Sequence, residues 1–294
     1  MKVRAAILIL IALTNLGAGN PSVMSGAGLT SVVEFGGPQQ KKAPSGAAIS
    51  RPESALPQAC RIVLSIGGKR SRTVLCSGSY VGDGLVVTAG HCFWEVDAAE
   101  IEDSRVQCGY AGQASNGELV FAEEFRGLRV FSNGEEAGFG SDLAMIRLGR
   151  KSQKITPLKI ARDFEELRSE LLVPNPNMPE DLVIAPDVEC RFSGFGKDRN
   201  TGRVRFHESD QSPLNGLKAY VNNSLLFVDA WGSIPGWLFY GDSGGPLYCR
   251  RASSHAWMLV AVLSAGTEKQ KKTAWIPATS EPFRRLYRQA AVTK

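Results

Sequence analysis

Three short stretches of this 294-residue chain carry side chains suited to acyl transfer. The first is Gly241-Asp242-Ser243-Gly244-Gly245-Pro246-Leu247, a serine set among glycines. A serine hydroxyl attacks poorly at neutral pH unless a base takes its proton and fixed donors receive the oxyanion it creates. Glycines on either side allow a sharp turn that aims backbone N–H groups at a bound carbonyl. The second stretch, Thr88-Ala89-Gly90-His91-Cys92, supplies a base. Its imidazole can accept the Ser243 proton and return it to a leaving amine. The other two histidines, His207 and His255, read as structural. In the third stretch, Ser141-Asp142-Leu143-Ala144-Met145-Ile146-Arg147-Leu148, a carboxylate opens an apolar run. A carboxylate there is costly unless hydrogen-bonded, and holding an imidazole in one tautomer would satisfy it.

Gly241–Gly245 also fits Gly-x-Ser-x-Gly, the nucleophile elbow of α/β-hydrolases, whose serine is followed by its acid and then its histidine. Here the only later histidine is His255, with no aspartate between it and Ser243, so that reading fails on chain order. The order His91, Asp142, Ser243 and the three motifs around them resemble the chymotrypsin/trypsin-like serine proteases over about residues 49–291. That resemblance implies an all-β fold of two six-stranded antiparallel β-barrels with the cleft between them and a C-terminal helix.

It also implies roles for single residues. His91, Asp142 and Ser243 would form the catalytic trio, with the Gly241 and Ser243 N–H groups as the oxyanion hole. Asp242 would anchor a processed apolar N-terminus. Ile49 is read as that terminus, although Ile49-Ser50-Arg51-Pro52 departs from the family's usual start. Cutting at Arg61-Ile62 instead would detach Cys60 and the start of the first barrel strand. Counting back from Ser243, Trp237 and then Leu238 stand where a trypsin carries the acid that selects Lys or Arg. An uncharged P1 residue is therefore expected, while Lys269, Lys271 and Lys272 leave an acidic preference open. Ser264-Ala265-Gly266 resembles the segment that pairs with the substrate backbone as an added strand.

Six cysteines permit fifteen pairings, and spacing alone does not choose among them. By the resemblance, Cys76 pairs with Cys92 and Cys190 with Cys249. Cys60 and Cys108 then fall on neighbouring strands of the first barrel and are expected to pair.

The elements that must position these residues run in order along the chain. Residues 1–19 have Lys2 and Arg4 before an apolar run and small residues, the pattern of a signal peptide. Residues 20–48, rich in Gly, Ser, Ala and Pro, read as a propeptide or disordered segment. Barrel one is expected over about 57–150, with strands at 61–65, 74–81, 85–88, 105–109, 119–121, 128–131 and 143–148. The join, about 151–187, should hold a short helix capped by Asp163 and then a loop broken by Pro174, Pro176 and Pro179. Barrel two occupies about 188–280, and a helix at about 281–291 starts after Ser280 with Pro282 in its first turn.

A net charge of +5 from scattered basic residues, with no nucleic-acid signature, argues against nucleic acid as a partner. No metal site or cofactor is expected. The partners are a peptide or protein substrate and, by the resemblance, a proteinaceous inhibitor. The chain is expected to be monomeric, exported (secreted or periplasmic) and free of a membrane anchor once its leader is removed. Two rivals remain: an inactive homologue serving as a binding module, and an esterase of the same fold.

Overall fold

In a computed structural model, the described residues are 32–33, 56–66, 72–94, 105–126, 129–133, 139–176, 178–197, 201–208, 226–228, 240–254, 256–267 and 272–293. The expected signal peptide, Ile49, Trp237, Leu238 and His255 lie outside them. The architecture is two antiparallel β-sheet units in series, with a helix between them and another at the C-terminus.

The first unit contains β1 (Val32–Val33), β2 (Ala59–Ile66), β3 (Arg72–Gly82), β4 (Leu85–Thr88), β5 (Arg105–Gln113), β6 (Leu119–Phe125), β7 (Arg129–Ser132) and β8 (Ala144–Arg147). Hydrogen bonding runs β6-β5-β2-β3-β4-β8-β7. β6 and β7, consecutive in sequence, stand at the two ends of this order, the arrangement of a sheet rolled into a barrel. The expected propeptide segment contributes β1, which pairs antiparallel with Thr73 and Val74 of β3. The turn from β3 to β4 puts Asp83 at φ 52°, flanked by glycines that share the left-handed region.

A parallel-paired β9 (Lys159–Ile160) leads into α1 (Phe164–Leu171) and the hairpin of β10 (Leu172–Asn175) and β11 (Met178–Ile184). Asp163 caps α1, its carboxylate accepting the Glu166 N–H at 2.8 Å. The hairpin corrects the loop expected after α1. An isolated two-stranded ribbon has an outward edge on each strand, where a proline such as Pro174, lacking an N–H, breaks no ladder bond.

The second unit comprises β12 (Val188–Gly194), β13 (His207–Glu208), β14 (Leu226–Val228), β15 (Pro246–Arg251), β16 (Met258–Thr267) and β17 (Lys272–Pro277). These six strands pair in the order β13-β12-β15-β16-β17-β14. Disulfides join Cys60 to Cys108 across β2 and β5, Cys76 to Cys92, and Cys190 to Cys249 across β12 and β15.

Continuous apolar runs mark strands buried on both faces, and β4 is one. Val86 points into the core of the first unit, whereas Leu85 and Val87 join a cluster shared with Leu259 and Val262 of β16. Met145 and Ile146 of β8 divide between the same two clusters. This middle cluster is the seam between the units, and α2 (Glu281–Val292) closes it with Phe283, Leu286 and Ala290. Burying side chains of the Phe and Leu type contributes about 1.5–3 kcal/mol each. Arg147 of β8 reaches across to donate to the carbonyls of Ala290 and Ala291, satisfying the end of α2.

The link out of the first unit is tied down by Glu123, whose side chain is 4% exposed. It accepts from Arg150 at 2.6 Å, from the Ser152 hydroxyl and from the Gln153 and Lys154 N–H groups. Burial pushes this carboxyl up, but those hydrogen bonds outweigh it and hold its pKa below the usual value. A carboxylate with a depressed pKa stabilises the fold above its unfolded pKa, and that contribution disappears as pH falls through the folded value. Glu123→Gln should therefore cost about 1–3 kcal/mol at pH 7. In denaturant titrations the gap from the parent protein should shrink as the pH is taken well below 4.

Candidate active site

His91 lies in a short turn of 3-10 helix, Gly90–Phe93, that ends β4. The Cys76–Cys92 bridge pins this turn to β3. Gly90 leaves room for the carboxylate: a Cβ would lie 3.0 Å from both Asp142 Oδ1 and the Leu143 nitrogen. Asp142, 5% exposed, enters from the short turn before β8. Its Oδ1 accepts the His91 backbone N–H at 2.7 Å, and its Oδ2 meets His91 Nδ1 at 2.8 Å. With Nδ1 engaged by the carboxylate, Nε2 is the nitrogen left to act as a base. The Trp94 ring stands edge-on to the imidazole at 5.8 Å.

A third bond to Asp142 comes from the other unit: Ser264 Oγ donates to Oδ2 at 2.6 Å. Ser264 sits where β16 bulges, between Leu263 and Ala265, which turns its hydroxyl toward the seam. Sequence reasoning assigned Ser264 to the substrate-pairing segment and missed this contact. The missed signal was a lone hydroxyl directly after the apolar run 259–263, which a buried strand tolerates only with a partner. Ala265 and Gly266 continue β16, paired with Ala274 and Thr273 of β17.

Ser243 occupies the turn between Tyr240 and β15 and is half-buried. Gly241 and Gly244 hold φ values of 107° and 83°, which favour glycine over any residue bearing a Cβ. Gly244 has a second reason to lack a side chain. A Cβ there would stand 2.1 Å from Thr88 Oγ1, 2.3 Å from the Ser77 carbonyl oxygen and 2.7 Å from the Ala89 nitrogen. The loop is thus pressed against the chain two to three residues before His91. The Ser77 N–H donates to the Ser243 carbonyl at 2.8 Å, and Gly244 N–H to Leu263 at 2.7 Å. Ser243, His91 and Asp142 thereby gather at one seam. Among the described residues no hydrogen bond joins the Ser243 hydroxyl to the imidazole, as is common in such pairs without substrate.

Asp242, 2% exposed, turns its carboxylate inward. A Cβ at Gly194 or Gly196 would fall 2.4 Å or 2.6 Å from its Oδ1, so a side chain at either would displace the carboxylate.

With this geometry in place, the family model described as Trypsin matches residues 49–285. The chain belongs to the trypsin family of serine proteases. It is 28% identical over 209 residues to the tissue-type plasminogen activator of Sus scrofa, covering 65% of this chain and 34% of that protein. It is 24% identical over 206 residues to transmembrane protease serine 7 of Homo sapiens, covering 65% of this chain and 22% of that protein. The chain therefore spans about a third or less of these relatives. Among solved structures it resembles HL collagenase with a TM-score of 0.52 and 18% identity, covering 85% of this chain and 99% of that one, a likeness of fold.

Glycine at 244 is testable at once. Gly244→Ala places a methyl inside the Thr88–Ser77 hydrogen bond and adds backbone strain, so a loss of about 3 kcal/mol or more is expected in chemical denaturation.

Proposed function

We propose that this chain is an exported serine endopeptidase acting through an acyl-enzyme, with His91, Asp142 and Ser243 as the catalytic trio. The observation that carries the reading is the double engagement of His91 by a buried Asp142, which fixes both the backbone and the ring. Family membership supplies the reaction class, hydrolysis of peptide bonds.

The chemistry rests on this geometry. His91 Nε2 takes the Ser243 proton as Oγ attacks the substrate carbonyl carbon, and the carbonyl electron pair moves onto oxygen. Asp142 offsets the charge of the imidazolium without taking the proton itself. The oxyanion is received by the Gly241 and Ser243 N–H groups, neither of which has a protein acceptor among the described residues. Removing one such donor typically costs about 10²–10³ in kcat. Collapse breaks the C–N bond, the amine leaves with the proton from His91, and water repeats the sequence on the acyl ester.

Ala265 and Gly266 would pair with the substrate backbone, since they sit beside Ser264 on β16. Trp237 and Leu238 would set an uncharged P1 preference, because no carboxylate stands at either position. Ile49 would be the processed terminus and Asp242 its anchor. The N-terminal segment 1–19 would direct export, with a peptide or protein as the partner.

Treatment of the mature, processed protein with a fluorophosphonate probe should give one adduct, on Ser243, and Ser243→Ala should abolish it. A protein that is folded yet unlabelled would overturn the reading in favour of a binding module. Asp142→Asn should lower kcat by about 10⁴, the loss known for this substitution in a protease with this triad. In a peptide library, cleavage concentrated after Lys or Arg would refute the uncharged P1 preference.

A further inference from the structure

Ser77 lies in β3, one residue after Cys76, and is 1% exposed. None of its polar atoms is idle. The hydroxyl donates to the Gly241 carbonyl at 2.7 Å and accepts the Phe195 N–H at 2.8 Å. The backbone N–H donates to the Ser243 carbonyl at 2.8 Å. The Ser77 carbonyl accepts from Thr88 Oγ1 at 2.6 Å, three residues before His91. One buried residue of the first unit thus bonds to both ends of the Gly241–Ser243 turn, to the exit of β12 in the second unit, and to the strand that delivers the imidazole.

We infer that Ser77 is a positioning residue for the oxyanion donors, an inference that rests on the protease reading above. A peptide plane turns as one body, so holding a carbonyl fixes the direction of the N–H on the opposite side of that plane. Lys197 N–H holds the Tyr240 carbonyl at 2.8 Å, which sets the direction of the Gly241 N–H. Gly241, at φ 107°, has no Cβ to restrict the peptide plane after it. The Ser77 hydroxyl supplies that restriction by holding the Gly241 carbonyl, and the Ser77 N–H holds the Ser243 carbonyl beyond. Between these two anchors lies the peptide plane that carries the Ser243 N–H; its own carbonyl, that of Asp242, accepts the Gly245 N–H at 2.9 Å, and Ser77 fixes the planes on either side of it. The turn is rich in glycine for steric reasons, and the hydrogen bonds from Ser77 restore the order that glycine gives up. Without the hydroxyl, the Gly241 carbonyl and the Phe195 N–H lose their partner in a site closed to water.

The test compares the exported, processed protein with its Ser77→Ala and Ser77→Thr variants, using the fluorophosphonate probe and hydrolysis of p-nitrophenyl acetate. Ser77→Ala should lower the labelling rate and kcat about tenfold while KM stays within about twofold, because the donors act on the developing oxyanion and not on the bound ester. Affinity for a peptidyl boronate, whose tetrahedral adduct uses the same donors, should fall in parallel. Ser77→Thr, which keeps the hydroxyl, should recover most of the loss. A purely structural role would lower the unfolding midpoint and leave the kcat of the folded fraction and boronate affinity unchanged, and that result would overturn the inference. If Ser77→Ala does not fold, by circular dichroism, Ser77→Gly, which removes the same hydroxyl together with Cβ and so leaves room for a water in its place, gives the same measurement. An unlabelled parent protein would refute the protease reading instead, whereas a labelled parent with an equally reactive Ser77→Ala would refute the role of Ser77 alone.

Discussion

A carboxylate placed out of water at the junction of two sheets is tolerated only when its lone pairs are occupied, and Asp142 dictates much of its surroundings. Its three bonds come from a backbone N–H, an imidazole and a serine hydroxyl. The first two belong to the turn after β4 and the third to a bulge in β16, so the carboxylate draws on both units at once. Gly90 leaves room for it, and the Cys76–Cys92 bridge keeps the turn within reach. The seam is therefore an electrostatic joint set inside an apolar one, where Leu85 and Val87 meet Leu259 and Val262.

The serine loop is organised by a different means. Its glycines remove side chains wherever the backbone must pass close to Thr88, Ser77 or Leu75. Removing side chains also removes conformational restraint, and the restraint returns as hydrogen bonds from Ser77, Lys197 and Leu263. Steric permission and polar anchoring are separable contributions, supplied by different residues. Asp242 extends the pattern: its buried carboxylate fits only because Gly194 and Gly196 on the neighbouring segment have no side chain.

Much of the positioning scaffold was legible in the chain before any coordinates. The runs 85–88 and 143–148 are too continuously apolar for strands with a wet face, so strands buried on both sides could be expected from composition alone. Asp163 and Ser280 announced their helices by the capping rule. The segment after α1 does not read as a hairpin in the sequence, because its prolines argue against a ladder, and yet Pro174 is accommodated in a two-stranded ribbon and Pro176 in its turn.

The sequence by itself determined the chain order of His91, Asp142 and Ser243, the proposed catalytic trio, since each lies in a local motif whose chemistry is bound to residue type and immediate neighbours. Nothing in the neighbouring sequence of Ser77 or Ser264 names the residue that each one bonds. Each is a serine in a strand, and each matters only because folding brings it against a residue far along the chain: Ser264 against Asp142, Ser77 against Gly241 and Phe195. A hydrogen bond between distant segments depends on strand register, bulge position and the packing of one unit on the other. Those quantities belong to the assembled fold, so only the tertiary structure could decide them.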